Sequence, residues 1–445
     1  MSLNAIMNTA NSGLAAAQTQ LRVISDNVSN VNTPGYVRKI AEQQTLVSQG
    51  MGSGVEVARI RLATDRFLQA ASLSSGAEAA REGVRYELYD RIQSLFGDPG
   101  GKTGFFAQVD AVFAAFSASG EDPTSSPRRQ DALFKTQALF DEAGRIAKSI
   151  QAVRQDADSR VQSAVEKANS LIEQIEGLNQ QIARATATKG DASGAETAQS
   201  SLVGQLAELM DIRVSTRPVG GVSIRTGNGA LLAGEGAATI SYNRAGTVTS
   251  ETVFNEIIIT EPGGLKKSLL DSINSGELKG LIELRDKEAP AAAERLAELI
   301  THVADELNRA HNANSAVPPP TTLTGRNVGQ SFETAIAGFT GRSTVAVTNA
   351  AGVIQQRADI VFSGSTMTVN GVATTPANFL ADLNTQLGGA ATATFVDGKL
   401  TIAATGTNGV AIADDATTPS SKGGRGFSHY FGLNDLISTD SPALY

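Results

Sequence analysis

The stretch from Leu3 to Tyr36 reads LNAIMNTANSGLAAAQTQLRVISDNVSNVNTPGY. Its apolar residues fall at Leu3, Met7, Ala10, Leu14, Ala17, Leu21, Ile24, Val28 and Val31, in alternating steps of four and three. That is the a/d seam of a heptad, the pattern of a helix packed lengthwise on another helix. A helix of about 30 residues is ~45 Å long. Pro34-Gly35 stops it, because proline cannot continue the hydrogen-bond ladder and glycine tolerates the turn. A strict two-position seam favours a partner helix over a broad core face. The plainer alternative is an amphipathic helix packed on its own domain.

The composition around this segment narrows the choices. The first charge in the chain is Arg22. A signal peptide needs a basic start and an apolar core. Here Asn4, Asn8, Asn11, Gln18 and Gln20 interrupt the apolar run. The same residues argue against a membrane span, which needs ~20 mostly apolar positions. There is no Cys, which excludes disulfides and Cys-based metal or thiol chemistry. The net charge of −8 gives no counterion-release energy on nucleic acid, and no basic cluster overrides it. Aromatic residues are 5% of the chain and Trp is absent, which favours slender parts over one thick core. The length of 445 residues suits roughly three ordinary domains.

Further along, residues 37–63 contain Gly50, Gly52 and Gly54, with Val55, Val57 and Ile60 suggesting a short extended segment. Residues 64–96 return to helical spacing and end at Gly97-Asp98-Pro99. No proline occurs between Arg128 and Arg217. Within that span Ile150, Val153, Ala157, Val161, Ala164, Ala168, Leu171, Ile175, Leu178 and Ile182 keep the period of a helix of about 50 residues. Residues 213–260 read as strands: Val222-Ser223-Ile224-Arg225 alternates, Gly227-Asn228-Gly229 turns, and Ala230-Leu231-Leu232 returns. Residues 276–312 are helical, broken or entered at Pro290, and Val317–Thr322 reads as a stiff linker. Residues 330–415 are rich in Thr, Ala, Gly and Val. Strands are expected at Thr344–Thr348 and Ala358–Thr368, a hairpin around Asp397-Gly398, and a short helix over Pro376–Leu387.

Chemical sites are few. Gly97–Thr103 resembles a phosphate loop, but it is one residue short and follows a helical pattern, so a turn between helices is the better reading. The Gly50, Gly52, Gly54 series opens no helix and is read as a turn. Glu298, His302, Asp305 and Glu306 share one helical face that could in principle hold a divalent metal. It is better read as a solvated charged face. His311 and His429 have no evident acid or nucleophile partner in the sequence, and no G-x-S-x-G elbow occurs. No catalytic, cofactor or metal residue is assigned.

Ser29-Asn30-Val31-Asn32-Thr33-Pro34-Gly35-Tyr36, after a seam helix holding Ser12-Gly13-Leu14, resembles the N-terminal motif of flagellar axial proteins: rod, hook and hook-associated proteins. Gly52–Val57 followed by Asp65-Arg66-Phe67-Leu68 fits the same class. Leu95-Phe96-Gly97-Asp98-Pro99 and Asp122-Pro123-Thr124 resemble the hook-associated protein 1 (FlgK) family. So do Ser275–Leu281, Leu284-Arg285-Asp286, Leu307-Asn308 with His311, and Tyr430–Leu436. Residues 366–415 are more weakly similar to the hook IN motif domain of flagellins. The resemblance is good over residues 1–312 and 425–437 and poor over 320–420.

The expected fold is α+β and elongated, with long coiled-coil-like helices. Residues 1–36 form an axial assembly helix, and 37–318 a rod-like helical body with a β segment at 213–260. Residues 319–424 form a small β-rich outer domain, and 425–445 a return segment to the body. The resemblance implies a structural subunit of the bacterial flagellum, not an enzyme, that forms the junction between hook and filament at the hook tip. It implies self-association into a ring or short tube, with hook protein below and a second hook-associated protein and the filament above. An export apparatus and its chaperone are further implied partners. The implied location is extracellular, reached without a cleaved signal peptide, and a chain without Cys suits threading through a narrow channel. The alternatives are another axial protein, or a surface-binding adhesin module in the outer domain. The expected assembly interface comprises Leu3, Met7, Leu14, Leu21, Ile24, Val28, Asn30, Thr33, Pro34, Gly35 and Tyr36. The family normally ends in a long helix packed against the N-terminal one. This chain stops at Tyr445, so the expectation is a seam without that partner.

Overall fold

The computed structural model describes residues 3–438 except Pro34, Gln49, Gly50, Pro123, Lys189 and Ser365, and it does not describe the side chains of Leu3, Ala5, Ser48 and Met51. The chain divides into two units, Met1–Leu296 and Ala297–Tyr445. The fold is mixed α+β, as expected.

The first unit opens with α1 (Leu3–Ser29) and a hairpin of β1 (Lys39–Ser48) and β2 (Met51–Leu62). The strands pair antiparallel, Lys39 opposite Leu62. The short extended segment expected from sequence is therefore a long hairpin. The polar run Glu42-Gln43-Gln44 hides its period of two, and Glu42 instead pairs across the strands with Arg59 and Arg61. Helices α2 (Arg66–Phe96), α3 (Phe105–Glu121), α4 (Ser126–Ala187) and α5 (Ser193–Leu209) follow. Asp65 caps α2 by accepting from the backbone N–H groups of Phe67 and Leu68. Residues 97–104 form the turn between α2 and α3, so the phosphate-loop look-alike lies between two helices.

Helix α4 has 62 residues, longer than its core period indicated. Pro127 sits in its first turn, where the missing N–H costs nothing. The added length packs on α3, burying Phe105, Val112 and Ala115 against a face bearing Ala132, Leu139 and Ala143. Its seam from Val153 to Ile175 enters the main core with α5 and the strands beyond. One position departs from the sequence reading. Leu178 is half-buried and Asn179 is buried in its place. Asn179 donates to the Val222 carbonyl (2.9 Å) and accepts from the Val222 N–H (2.7 Å) and Gln199 (2.9 Å). Fully satisfied buried amides of this kind fix a register that apolar contacts leave loose.

Sheets then form from β3 (Ile212–Thr216), β4 (Val222–Thr226) and β5 (Leu231–Ala233), and from β6 (Thr239–Ser241), β7 (Ile258–Thr260) and β8 (Lys266–Ser268). Short helices α6 (Leu269–Ser272) and α7 (Glu277–Glu283) lead to a π-helical turn over Leu284–Glu288 and then α8 (Ala289–Asn312). The break expected at Pro290 is this widened turn. Ala289 donates to Leu284 five residues back, and a π-turn accommodates the donor that Pro290 cannot supply.

The second unit holds β9 (Thr322–Thr324), α9 (Phe332–Ile336), β10 (Phe339–Thr348), β11 (Ile354–Gly364), β12 (Thr366–Val369) and β13 (Val372–Thr374). It continues with α10 (Phe379–Leu387), β14 (Ala391–Val396), β15 (Lys399–Ala404), β16 (Gly409–Asp414) and α11 (Phe427–Phe431). One sheet has the order β13-β12-β11-β10-β16 and the other β14-β15-β9. The expected hairpin is present, with Val396 opposite Lys399 and Asp397-Gly398 as its turn. The stretch Val317–Thr322 is not a free linker. The Pro320 carbonyl accepts from Val410 and the Thr321 carbonyl from Ala404, both at 2.8 Å, because prolines remain acceptors. The chain's scarce aromatics gather here: Phe332, Phe339, Phe362, Phe379, Phe427 and Phe431 are all buried in one core. The segment read as a return to the body thus contributes Phe427, Tyr430, Phe431 and Leu433 to this unit's own core.

A buried ionic network organises the middle of the first unit. Arg285, in the π-turn, donates to Asp158 of α4 at 2.8 Å, with both side chains almost fully enclosed. Tyr242 donates to Asp158 and accepts from Arg285 (2.6 Å). Burial, reinforced by Asp158, pushes the Tyr242 hydroxyl pKa up. Removing one member of such a pair strands the other, which costs about 3–5 kcal/mol. The Arg285→Ala variant is therefore expected to lose stability on that scale in urea unfolding followed by circular dichroism. Arg91→Ala, at the exposed Arg91–Asp156 pair, is expected to lose less than about 1 kcal/mol. Equal losses in the two variants would contradict this assignment.

Candidate assembly interface

Helix α1 carries two stripes. Ser12, Ala16, Thr19, Val23, Asn27 and Asn30 recur in steps of four and three and face the rest of the first unit, with Ala16 and Val23 buried. This stripe packs on β1 and β2. The opposite stripe is the apolar seam. Met7, Leu14, Leu21, Ile24 and Val28 are each between 57% and 69% exposed, and Val31 is exposed as well. The helix therefore uses its small and polar face for its own fold and leaves its apolar face in solvent. That inverts the usual arrangement of an amphipathic helix on a globular body.

The polar stripe anchors the helix through specific bonds. Ser12 Oγ accepts from the Val55 N–H at 3.1 Å, and Gly54 beside it has φ +133°. A side chain at Gly54 would run into Ser12 Oγ, so this glycine is required by close approach. Asn27 binds both backbone groups of Lys39: its Nδ2 donates to the carbonyl and its Oδ1 accepts from the N–H, each at 2.9 Å. The Tyr36 hydroxyl donates to the same Oδ1 at 3.0 Å. Lys39 pairs with Asp26 at 3.3 Å, and Arg22 with Asp191 at 3.4 Å.

The motif residues split between these two roles. Asn30 donates to the Asp26 carbonyl at 2.9 Å and accepts from the Thr33 hydroxyl at 3.3 Å, closing the end of α1. Gly35 takes φ +77°, and a Cβ there would lie 3.3 Å from Ser201 Oγ. Tyr36 clamps the exit onto Asn27. So Asn30, Thr33, Gly35 and Tyr36 hold the turn, while Met7, Leu14, Leu21, Ile24 and Val28 stay outward. The Leu3 side chain and Pro34 lie outside the described residues. The sequence reading missed Asn27 and quoted Ser12 and Gly54 only as motif residues, without their anchoring contact. For the helix residues the signal was available as a second stripe of small and polar residues, in steps of four and three, opposite the apolar one.

The hairpin beneath the helix presents charge. Arg59 and Arg61 hydrogen-bond Glu42 and hold its carboxyl below the usual range. Among the described residues no group of three or more His, Cys, Asp or Glu is placed to hold a metal. Glu298 and His302 are exposed and 3.9 Å apart, as a solvated face predicts. Asp305 departs from that reading, and His429 departs from its own reading as a histidine without an acid partner. His429 is buried and its Nε2 lies 3.1 Å from Asp305, an acid partner that 124 residues of separation hid from the sequence. His311 Nδ1 meets the Asn434 carbonyl at 2.6 Å.

Comparison with known proteins gives the family. Residues 7–36 match the family model described as flagella basal body rod protein, which ties the seam helix to flagellar proteins. Residues 89–332, more than half of the chain, match the model of the flagellar hook-associated protein FlgK helical domain. The chain belongs to the FlgK family of flagellar hook-associated proteins. It is 25% identical over 323 residues to flagellar hook-associated protein 1 of Salmonella typhimurium, covering 69% of this chain and 57% of that protein. It is 24% identical over 323 residues to the Escherichia coli protein of the same name (70% and 58% covered). The Bacillus subtilis protein is 23% identical over 396 residues (80% and 74%). The chain thus spans little more than half the length of its enterobacterial relatives. The flagellar hook junction protein FlgK of Burkholderia pseudomallei aligns with a TM-score of 0.48 and 17% identity, over 82% of this chain and 66% of that one.

The anchoring role of Asn27 is testable. Asn27→Ala leaves the Lys39 N–H and carbonyl without their shared partner, at a cost of about 1–3 kcal/mol. Hydrogen exchange should show faster exchange at Lys39 and along α1, with α4 unchanged. Unaltered protection of α1 would remove Asn27 from this role.

Proposed function

We propose that this protein is a structural subunit of the bacterial flagellum that assembles at the hook tip and forms the junction between hook and filament. The observation that carries this reading is the exposed apolar seam on a helix whose opposite face is already anchored. Burying a Leu, Ile, Val or Met side chain gains about 1.5–3 kcal/mol. Five such side chains in a row supply the kind of driving force that axial packing between helices requires, with no cofactor and no chemistry.

In this reading copies of the chain associate into a ring or short tube with the seams inward. Hook protein lies below, and a second hook-associated protein and the filament lie above. The turn at Asn30–Tyr36 leads the chain from the inner layer to the body. The subunit reaches this extracellular site through the flagellar export apparatus, escorted by a chaperone. Membership of the FlgK family supports the location, and the flagellar match of residues 7–36 supports the role of the seam.

The test is a double substitution, Leu14→Asp with Leu21→Asp. Both side chains are exposed, so the isolated protein should unfold within about 0.5 kcal/mol of the unsubstituted chain. Cells carrying the variant should fail to incorporate it and should lack attached filaments by electron microscopy. Swimming cells with normal filaments would refute the seam as an assembly face. Immunogold label on the hook shaft or along the filament, instead of at their boundary, would refute the junction placement.

A further inference from the structure

The second unit contains a buried histidine. His429 lies in α11 with its side chain 3% exposed. Its Nε2 meets Asp305 Oδ1 of α8 at 3.1 Å, and Arg425 Nη2 meets Asp305 Oδ2 at 3.1 Å. Nδ1 is buried and, among the described residues, has no hydrogen-bond partner. The same stretch runs back along α8 through further bonds. Asn434 and Asp435 hold Asn312 at 2.9 and 2.7 Å. Ile437 exchanges two 2.8 Å bonds with Asn308. Ser428 donates to Asn312 at 2.7 Å.

We propose that Asp305, Arg425 and His429 form a pH-sensitive strap that clamps residues 425–437 onto α8 while His429 is neutral and loosens them when its ring takes a proton.

The geometry gives the reason. In the neutral ring Nε2–H donates to Asp305, and Nδ1 keeps a lone pair whose burial is tolerable. A proton can only be added at Nδ1, which then becomes a buried N–H donor with no acceptor. The surrounding charges do not favour the cation. Asp305 attracts it but is already matched by Arg425. Arg326 donates to the His429 carbonyl and pairs with Asp435 at 3.4 Å, so a second guanidinium faces the ring. Arg309 and Glu306 on α8 are paired with each other. His311 is engaged with Asn434. Asp414 accepts from Ser420, whose hydroxyl in turn accepts from the Phe427 N–H. Burial accordingly holds His429 below the ordinary histidine value near 6.5, against the pull of Asp305. The sign follows. The unfolded ring gains its proton as pH falls through about 6.5 and the folded ring only lower. The strap's contribution is therefore complete above that value and is lost as pH falls below it.

The experiment uses the full chain, which has three histidines. NMR titration of the imidazoles from pH 8 to 4.5 is expected to show His429 titrating below 6.5. Hydrogen exchange of residues 427–437, corrected for the intrinsic rate at each pH, should show the open fraction rising on acidification, by about tenfold per pH unit of depression. In His429→Gln the side-chain amide can still donate to Asp305 but cannot titrate, so this rise should disappear. His302→Gln, at an exposed histidine, should retain it. A His429 titration at or above 6.5 overturns the proposal. So does an equal rise in the open fraction in His429→Gln and the unsubstituted protein. If His429→Gln does not fold, the titration of the unsubstituted chain decides alone.

Discussion

The buried pairing of Arg285 with Asp158 is the constraint around which the first unit is arranged. Two charges on separate elements, each almost fully enclosed, can coexist only if every donor and acceptor around them is matched. The matching is done by residues from four places. Asp286 takes two guanidinium bonds, and Tyr242 bridges the pair. The Ala245 N–H donates to the second Asp158 oxygen at 2.9 Å. Arg154 donates to the Arg285 carbonyl at 3.0 Å and to the Thr249 carbonyl at 2.9 Å. Phe254 lies under both guanidinium groups, 4.0 Å from Arg285 and 5.3 Å from Arg154. The irregular stretch between β6 and β7 is thereby fixed to α4 without a strand or helix of its own. The π-turn matters for the same reason, since Arg285 belongs to it and the turn answers the missing donor of Pro290.

The second constraint acts at the N-terminus. A helix can bury only one broad face against its own body. Here the face chosen is the one with Ser12, Ala16, Val23 and Asn27, because those side chains are small or carry amides that pair with strand backbone. Close approach at Gly54 reinforces the choice. The cost is that the larger apolar side chains remain in water. In an isolated chain this is a liability, and in an assembling one it is the source of the association energy.

Much of this was legible beforehand. The α4 seam, the β4–β5 return, the hairpin at Asp397-Gly398 and the heptad of α1 all follow from periodicity and turn chemistry, which are local. What escaped was non-local. The polarity of Glu42–Gln44 concealed the hairpin, because cross-strand ion pairs replace the apolar alternation that marks a strand. Asn179 displaced Leu178 from the interior because Val222 and Gln199 supply partners that no nearby residue announces. His429 was read as partnerless because Asp305 lies on another element. Val317–Thr322 was read as a spacer because proline suggests stiffness and says nothing of what its carbonyls accept.

The sequence by itself determined that the first helix carries a continuous uncharged apolar seam and ends at Asn30–Tyr36, since heptad spacing and helix-stopping chemistry are properties of neighbouring residues. It also determined the length class of α4 and the membership in a flagellar family. Only the tertiary structure decided which face of α1 would be spent inside the chain. That choice depends on a glycine in β2 and a backbone amide at Lys39 meeting Ser12 and Asn27, contacts across 12 to 43 residues. The outward seam is thus a consequence of where the inward bonds could be made, and that is settled only when the hairpin is in place.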